Sequence, residues 1–211
     1  MKHIVKQQEP QKFSEWKAMA NENWQPTYND LSGAIKQSVK QALMAEQGYL
    51  CCYCERRLMD DDSHIEHFRP QCDPQVDPLD YANLLCSCQN RIEKGDPRHC
   101  GNLKNGWFDE ALLVSPLSDD CAERFAYTGD GKIHPANSGD DSARKTIERL
   151  GLGIPKVNAL REMAIEPFLD DYLSELEMKQ FVSGYLQRDG QGRFGEFWTS
   201  IHYLFKAYAT Q

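Results

Sequence analysis

The strongest constraint on this chain is a set of thiols in a stretch too irregular to bury much apolar surface. Between Cys51 and Trp107 the chain carries Cys51, Cys52, Cys54, Cys72, Cys86, Cys88 and Cys100, and an eighth cysteine follows at Cys121. Cys51-x-x-Cys54 has the spacing of a zinc knuckle, in which a tight turn aims two sulfurs at one ion. A later pair, Cys88 and Cys100, would complete a tetrahedral site, with Cys86 as the alternative to Cys88. Metal binding explains the clustering better than disulfides do, because the N-terminus Met1-Lys2-His3-Ile4-Val5-Lys6 lacks the apolar core of a secretory signal. No apolar run is long enough to span a bilayer, so the expected compartment is the cytoplasm, with no membrane partner. Cys52, Cys72 and Cys121 read as small buried apolar groups.

A harder donor set lies between the thiols: His64, Glu66, His67 and Asn102. Oxygen and imidazole donors suit Mg²⁺ or Mn²⁺ at an open site, whereas thiolates suit structural zinc. On an extended strand His64 and Glu66 share one face and His67 takes the other. A bulge would bring Glu66 and His67 to one centre. His67 could then take a proton from water near neutral pH beside a cation held by Glu66 and an amide or imidazole opposite it.

The rest of the chain is mostly helical. Phe13, Trp16, Met19 and Ala20 predict a short amphipathic helix over 13–23, and Leu31, Ile35, Val39, Ala42 and Leu43 predict a longer one over 31–47. Asn29 or Asp30 would cap the second and Gly48 would close it. Ile65 to Phe68 reads as a strand ended by Pro70, the proline-rich stretch 70–80 as a loop, and Asn102 to Trp107 as one or two helical turns. Asp60-Asp61-Asp62 reads as a solvated loop. Leu112-Leu113-Val114 predicts a strand, and Phe125, Tyr127 and Ile133 about Gly129-Asp130-Gly131 predict a hairpin. A helix over 142–150, a helical pair over 155–187 broken near Pro167, and a last aromatic helix over 195–209 follow. The expected class is α+β: a zinc-stabilised core at 49–107, N-terminal helices at 1–48 packing on it, a hairpin-plus-helix extension at 108–154, and a helical region at 155–211 suited to partner docking.

Four segments together resemble the HNH endonucleases, whose core is a ββα-metal, treble-clef-like unit: Cys51-Cys52-Tyr53-Cys54-Glu55, Ile65-Glu66-His67-Phe68-Arg69-Pro70, Asn83-Leu84-Leu85-Cys86-Ser87-Cys88-Gln89 and His99-Cys100-Gly101-Asn102-Leu103-Lys104. More narrowly they are similar to the PtuB-type subunit of the Septu antiphage system, also used by some retron defence systems. The resemblance extends through Leu112 to Leu117 and the later hairpin, about 48–161. It implies that His67 is the general base, that Glu66 and Asn102 hold the catalytic Mg²⁺ or Mn²⁺ with His64 a further ligand, that Asn83 holds the loop between the strands, and that Lys104 meets phosphate. Cys88 and Cys100 are separated by eleven residues, wider than the family's usual pair, which leaves Asn90 as rival to Asn102. His99 is a lesser ligand candidate. The implied partners are a PtuA-type ABC/SMC-like ATPase, a retron reverse transcriptase with its RNA/DNA product, and a nucleic-acid substrate, DNA or RNA including tRNA.

Charge bears on that substrate. The formal net charge is -8, which argues against a broad nucleic-acid surface and for a cation or a partner supplying part of the grip. The competing expectation is a non-catalytic zinc module that mediates protein or nucleic-acid interaction. Hydrolysis of another phosphoester is weaker, because no nucleotide-binding glycine loop is present.

Overall fold

The computed structural model describes residues 1–169 and 172–209. Two of the four remaining residues fall inside the expected helical pair and two at the end of the expected 155–211 region; that part of each expectation lies outside the described residues. The elements are α1 (Gln11–Lys17), α2 (Gly33–Glu46), β1 (Ser63–His67), β2 (Leu84–Cys88), α3 (Gly101–Lys104), β3 (Phe125–Tyr127), β4 (Ile133–Pro135), α4 (Asp141–Arg149), α5 (Pro155–Ile165), α6 (Glu175–Leu186) and α7 (Trp198–Phe205). The protein is thus a mixed α+β chain with two small antiparallel sheets.

The N-terminal helices bury the side chains their periodicity marks. Phe13 and Trp16 of α1 and Val39, Leu43 and Met44 of α2 are in the core. Helix α1 is shorter than expected: its backbone turns back through an Asn21–Trp24 bridge, leaving Met19 exposed. Helix α2 starts after Ser32, not after Asn29 or Asp30, because the Asp30 carboxylate accepts from Thr27 in a separate turn. Gly48 closes it at φ +62°, the left-handed geometry expected of that position.

Strands β1 and β2 pair residue for residue, with His64 opposite Ser87, Glu66 opposite Leu85 and His67 opposite Leu84. The register is unbroken, so the bulge expected at Glu66-His67 is absent. After β2, a loop through Gln89 to His99 leads into α3, which follows Cys100 directly. The second hairpin forms as the alternation of Phe125, Tyr127 and Ile133 predicts, all three buried.

Leu112-Leu113-Val114 is not a strand. Leu113 and Val114 are buried, but their backbone is satisfied by a side chain: Val114 N donates to Thr146 Oγ1 at 2.8 Å and Thr146 Oγ1 donates to the Leu112 carbonyl at 3.2 Å. Thr146 lies on α4, whose first turn is capped by the Asp140 carboxylate accepting from Ala143 N. A threonine therefore does for this segment what a neighbouring strand would otherwise do.

One apolar core runs from Met1 to Phe197 and takes in every cysteine but Cys72, which is exposed and not buried as expected. A second cluster joins Ile165, Phe168, Met178, Val182, Ile201 and Phe205 of the C-terminal helices. Helix α7 and the residues leading into it reach the cysteine loop by polar contacts: Thr199 N donates to the buried Glu55 carboxylate at 2.6 Å, and Arg57 N donates to Glu196, just before the helix, at 2.7 Å. No described helix is long and apolar enough to cross a membrane.

Replacing Thr146 with valine preserves shape but strands a buried N–H and a carbonyl. Thr146→Val should lower unfolding free energy by about 1–3 kcal/mol. Urea denaturation followed by circular dichroism measures it, and an unchanged midpoint would show that the segment finds other partners.

Candidate functional site

The four sulfurs come together from three separate pieces of chain. Cys51 and Cys54 sit on the turn after α2, Cys88 ends β2 and Cys100 precedes α3; all are buried, and their Sγ atoms lie within 4.8 Å of one another. The Cys54 and Cys88 sulfurs are 3.7 Å apart. Tetrahedral Zn–S bonds of about 2.3 Å put neighbouring sulfurs about 3.8 Å apart, so the donor set fits zinc. Among the described residues this is the only such group of three or more metal-ligating side chains. Burial pushes the Cys100 thiol well up, and Cys51 adds to the effect; a cation bound by the four sulfurs would displace their protons to solvent. Cys86 stays outside the quartet, buried against Ser63, while its carbonyl accepts from Gln47 and Cys52.

His99 is wholly buried beside the sulfurs, with Nδ1 3.2 Å from Cys100 Sγ and 3.9 Å from Cys88 Sγ. Its Nε2 has no hydrogen-bond partner. It is placed to hydrogen-bond a coordinated thiolate, an interaction that orients metal ligands from outside the first set of donors.

The second cluster forms along the outer side of β1. Glu66, 7 % exposed, is held by three groups: Lys104 Nζ at 2.9 Å and the Tyr53 hydroxyl at 3.1 Å on Oε1, and His64 Nε2 at 3.6 Å from Oε2. Burial alone would push this carboxyl up, but His64 and Lys104 outweigh it and hold it below the usual carboxylate range. Gly101 makes the arrangement possible. A Cβ there would stand 2.4 Å from Glu66 Oε2 and 2.8 Å from His64 Nε2, so only glycine lets the start of α3 close over the pair.

His67, 6 % exposed, has its Nε2 2.9 Å from the Pro78 carbonyl and its Nδ1 3.2 Å from Gln71 Nε2. A carbonyl only accepts, which assigns the proton to Nε2 and leaves Nδ1 as the basic nitrogen. Burial holds the imidazole below its ordinary pKa, against the opposing pull of Pro78 and Glu66. The Tyr28 ring meets the imidazole edge to face at 4.5 Å between centroids. Although Glu66 and His67 alternate along a regular strand, both reach one open cavity of about 290 Å³, which Gln71, Gly101, Asn105 and Gly106 also line. A strand with a free edge can offer both faces to the same cavity, so no bulge is needed.

Asn102 and Lys104 sit apart from the cavity lining. Asn102 turns its amide to the Gln89 carbonyl and does not line the cavity; the imidazole facing Glu66 is that of His64. Lys104 is 2 % exposed, bound to Glu66 and to the His67 carbonyl at 2.9 Å. It braces the site from behind, buried away from solvent. Asn90 is exposed at the mouth of a neighbouring groove. Asn83 clamps the strand end: its Oδ1 accepts from Arg69 N at 2.8 Å and its Nδ2 donates to Arg69 O at 2.9 Å. Sequence reasoning missed Tyr53, Gly101, Gln71 and Tyr28. Only Gly101, next to a thiol and opening a helix, carried a local signal.

Removing one partner of a buried ion pair leaves the other charge uncompensated. Lys104→Met should therefore destabilise the fold by about 3–5 kcal/mol, more than Lys94→Met in the exposed loop. Thermal melts of the two variants check this, and equal melting points would contradict the bracing role. Cys54→Ser should release bound zinc, read by atomic emission, and unfold the region around the quartet.

No protein-family model matches the chain. Two curated proteins do. It is 31 % identical over 145 residues to "Retron Vc95 putative HNH endonuclease" of Vibrio cholerae serotype O1 biovar El Tor, covering 65 % of this chain and 68 % of that protein. It is 32 % identical over an alignment of 208 residues to the Escherichia coli protein of the same description from retron Ec83, covering 80 % of each. The chain therefore belongs to the family of retron-associated HNH endonucleases.

Proposed function

We propose that this protein hydrolyses nucleic-acid phosphodiester bonds, with β1, β2 and α3 acting as a ββα-metal core. The observation that carries the reading is the shared cavity of Glu66 and His67, with the basic Nδ1 of a neutral imidazole beside a buried, ionised carboxylate. His67 takes the proton of the attacking water at Nδ1, while the Pro78 carbonyl stabilises the imidazolium that forms. Gln71, which occupies Nδ1 here, yields that position to the water. Glu66 Oε2 and His64 Nε2 fit a divalent cation, Mg²⁺ or Mn²⁺: an oxygen and an imidazole nitrogen converge 3.6 Å apart against Gly101, which has no side chain to separate them. When bound, that cation would polarise the scissile phosphate and offset charge on the leaving oxygen. Lys104 and Tyr53 keep Glu66 in place, Asn83 keeps the end of β1 in place, and cleavage leaves a 5′-phosphate.

The retron association of the two relatives supports an effector role in antiphage defence, acting with the retron reverse transcriptase and its RNA/DNA product. The PtuB-like motifs extend the proposal to a PtuA-type ATPase as partner. An acidic chain with a small open site fits a nuclease that relies on such an assembly for targeting.

The test compares wild-type protein with His67→Ala on DNA and RNA, with Mg²⁺ or Mn²⁺, alone and with the ATPase. His67→Ala should cut at least about 10²-fold more slowly, within the range lost when a general base is removed, while keeping its zinc and its melting temperature. Equal cleavage by both proteins would remove His67 from the mechanism. Binding without cleavage by either would favour the non-catalytic zinc module.

A further inference from the structure

The cavity of Glu66 and His67 does not end at β1. Ile65 and Gln71 are shared with a second groove of about 450 Å³, lined also by Tyr28, Gly33, Lys36, Gln37, Lys40, His64 and Asn90. This groove runs from the catalytic strand to the first two turns of α2, an element outside every motif that identified the family. Its donors suit an anion. Lys36 is exposed and makes no ion pair among the described residues; its ammonium lies 5.7 Å from the Tyr28 ring, the same ring that packs on His67. Lys40, one turn on, is already paired with Asp60 at 3.5 Å. Gln37 also binds Asp60, so that carboxylate is already engaged. At the near end of α2, Ser32 makes no side-chain capping hydrogen bond, and Gly33 has open space where a Cβ would stand.

We propose that this groove is a phosphate subsite: Lys36, with the uncapped first turn of α2 behind it, holds a backbone phosphate of the substrate strand next to the scissile one. The inference rests on the nuclease reading above and adds where the strand runs. The strand leaves the cavity over Gln71, passes the Tyr28 edge and meets α2, so the N-terminal helix contributes to substrate grip as well as to the core. Local placement of one free lysine also shows how a chain of net charge -8 can hold a polyanion without a broad basic face.

The test uses the full chain and a fluorescent 20-nucleotide strand, as DNA and as RNA. Binding is followed by anisotropy in metal-free buffer across a salt series, and cleavage with Mn²⁺. Lys36→Ala and Lys36→Glu should weaken binding about three- to tenfold and more than tenfold respectively, and should lower the salt slope by about one. Lys36→Arg should restore binding. Lys145→Glu, a charge change on the distant α4, should bind and cleave as wild type does; zinc content and melting temperature confirm that the variants are folded. In cleavage, KM should rise with the loss of affinity. Folded Lys36 variants with wild-type affinity, salt slope and KM would overturn the subsite while leaving the nuclease reading intact. A wild-type chain that neither binds nor cuts either strand, alone or with the ATPase, would overturn both.

Discussion

Four sulfurs meeting in one place hold the functional part of this molecule in shape. The stretch from Cys51 to Lys104 contributes two five-residue strands and a one-turn helix, little regular structure to organise by apolar burial alone. Tying the knuckle, the end of β2 and the start of α3 to one point fixes the pieces that carry Tyr53 and Lys104, and β1, which carries Glu66, follows by pairing with β2. Those three side chains then meet in a buried contact that none of the pieces could build alone.

The site is consequently layered. Behind Glu66 lie Lys104 and Tyr53, and ahead of it lie His64 and the close-packed glycine Gly101. A buried carboxylate would ordinarily resist ionisation, and here a buried lysine keeps it charged. His67 follows the same logic from the other side of the strand, with one nitrogen committed to a backbone carbonyl and the other left basic. Glu66 is held by two partners out of reach of solvent, Lys104 and Tyr53, and His67 by the half-buried Pro78 carbonyl; fixed partners of this kind preorganise a small open site.

The surrounding elements do more than cover this core. Helix α7 and the residues leading into it are bonded to the knuckle through Glu55 and Arg57; α4 uses Thr146 to hold the segment after α3. Helix α2 packs beneath both strands and shows its first turns to the groove beside the site. Residues far apart in sequence, such as Tyr28 and His67, therefore share one wall.

The amino-acid sequence alone determined the donor chemistry and most of the elements. Thiol spacing marked the quartet and alternation marked the hairpin of β3 and β4, because each signal acts over a few residues. Tertiary structure decided the rest. Whether Leu112 to Val114 pairs with a strand depended on Thr146, thirty-odd residues away. Whether Asn102 or His64 faces Glu66 depended on which side of a one-turn helix closes over the strand. Whether Lys104 meets phosphate or carboxylate depended on burial, since a lysine is the same residue in either place and only its surroundings set its partner.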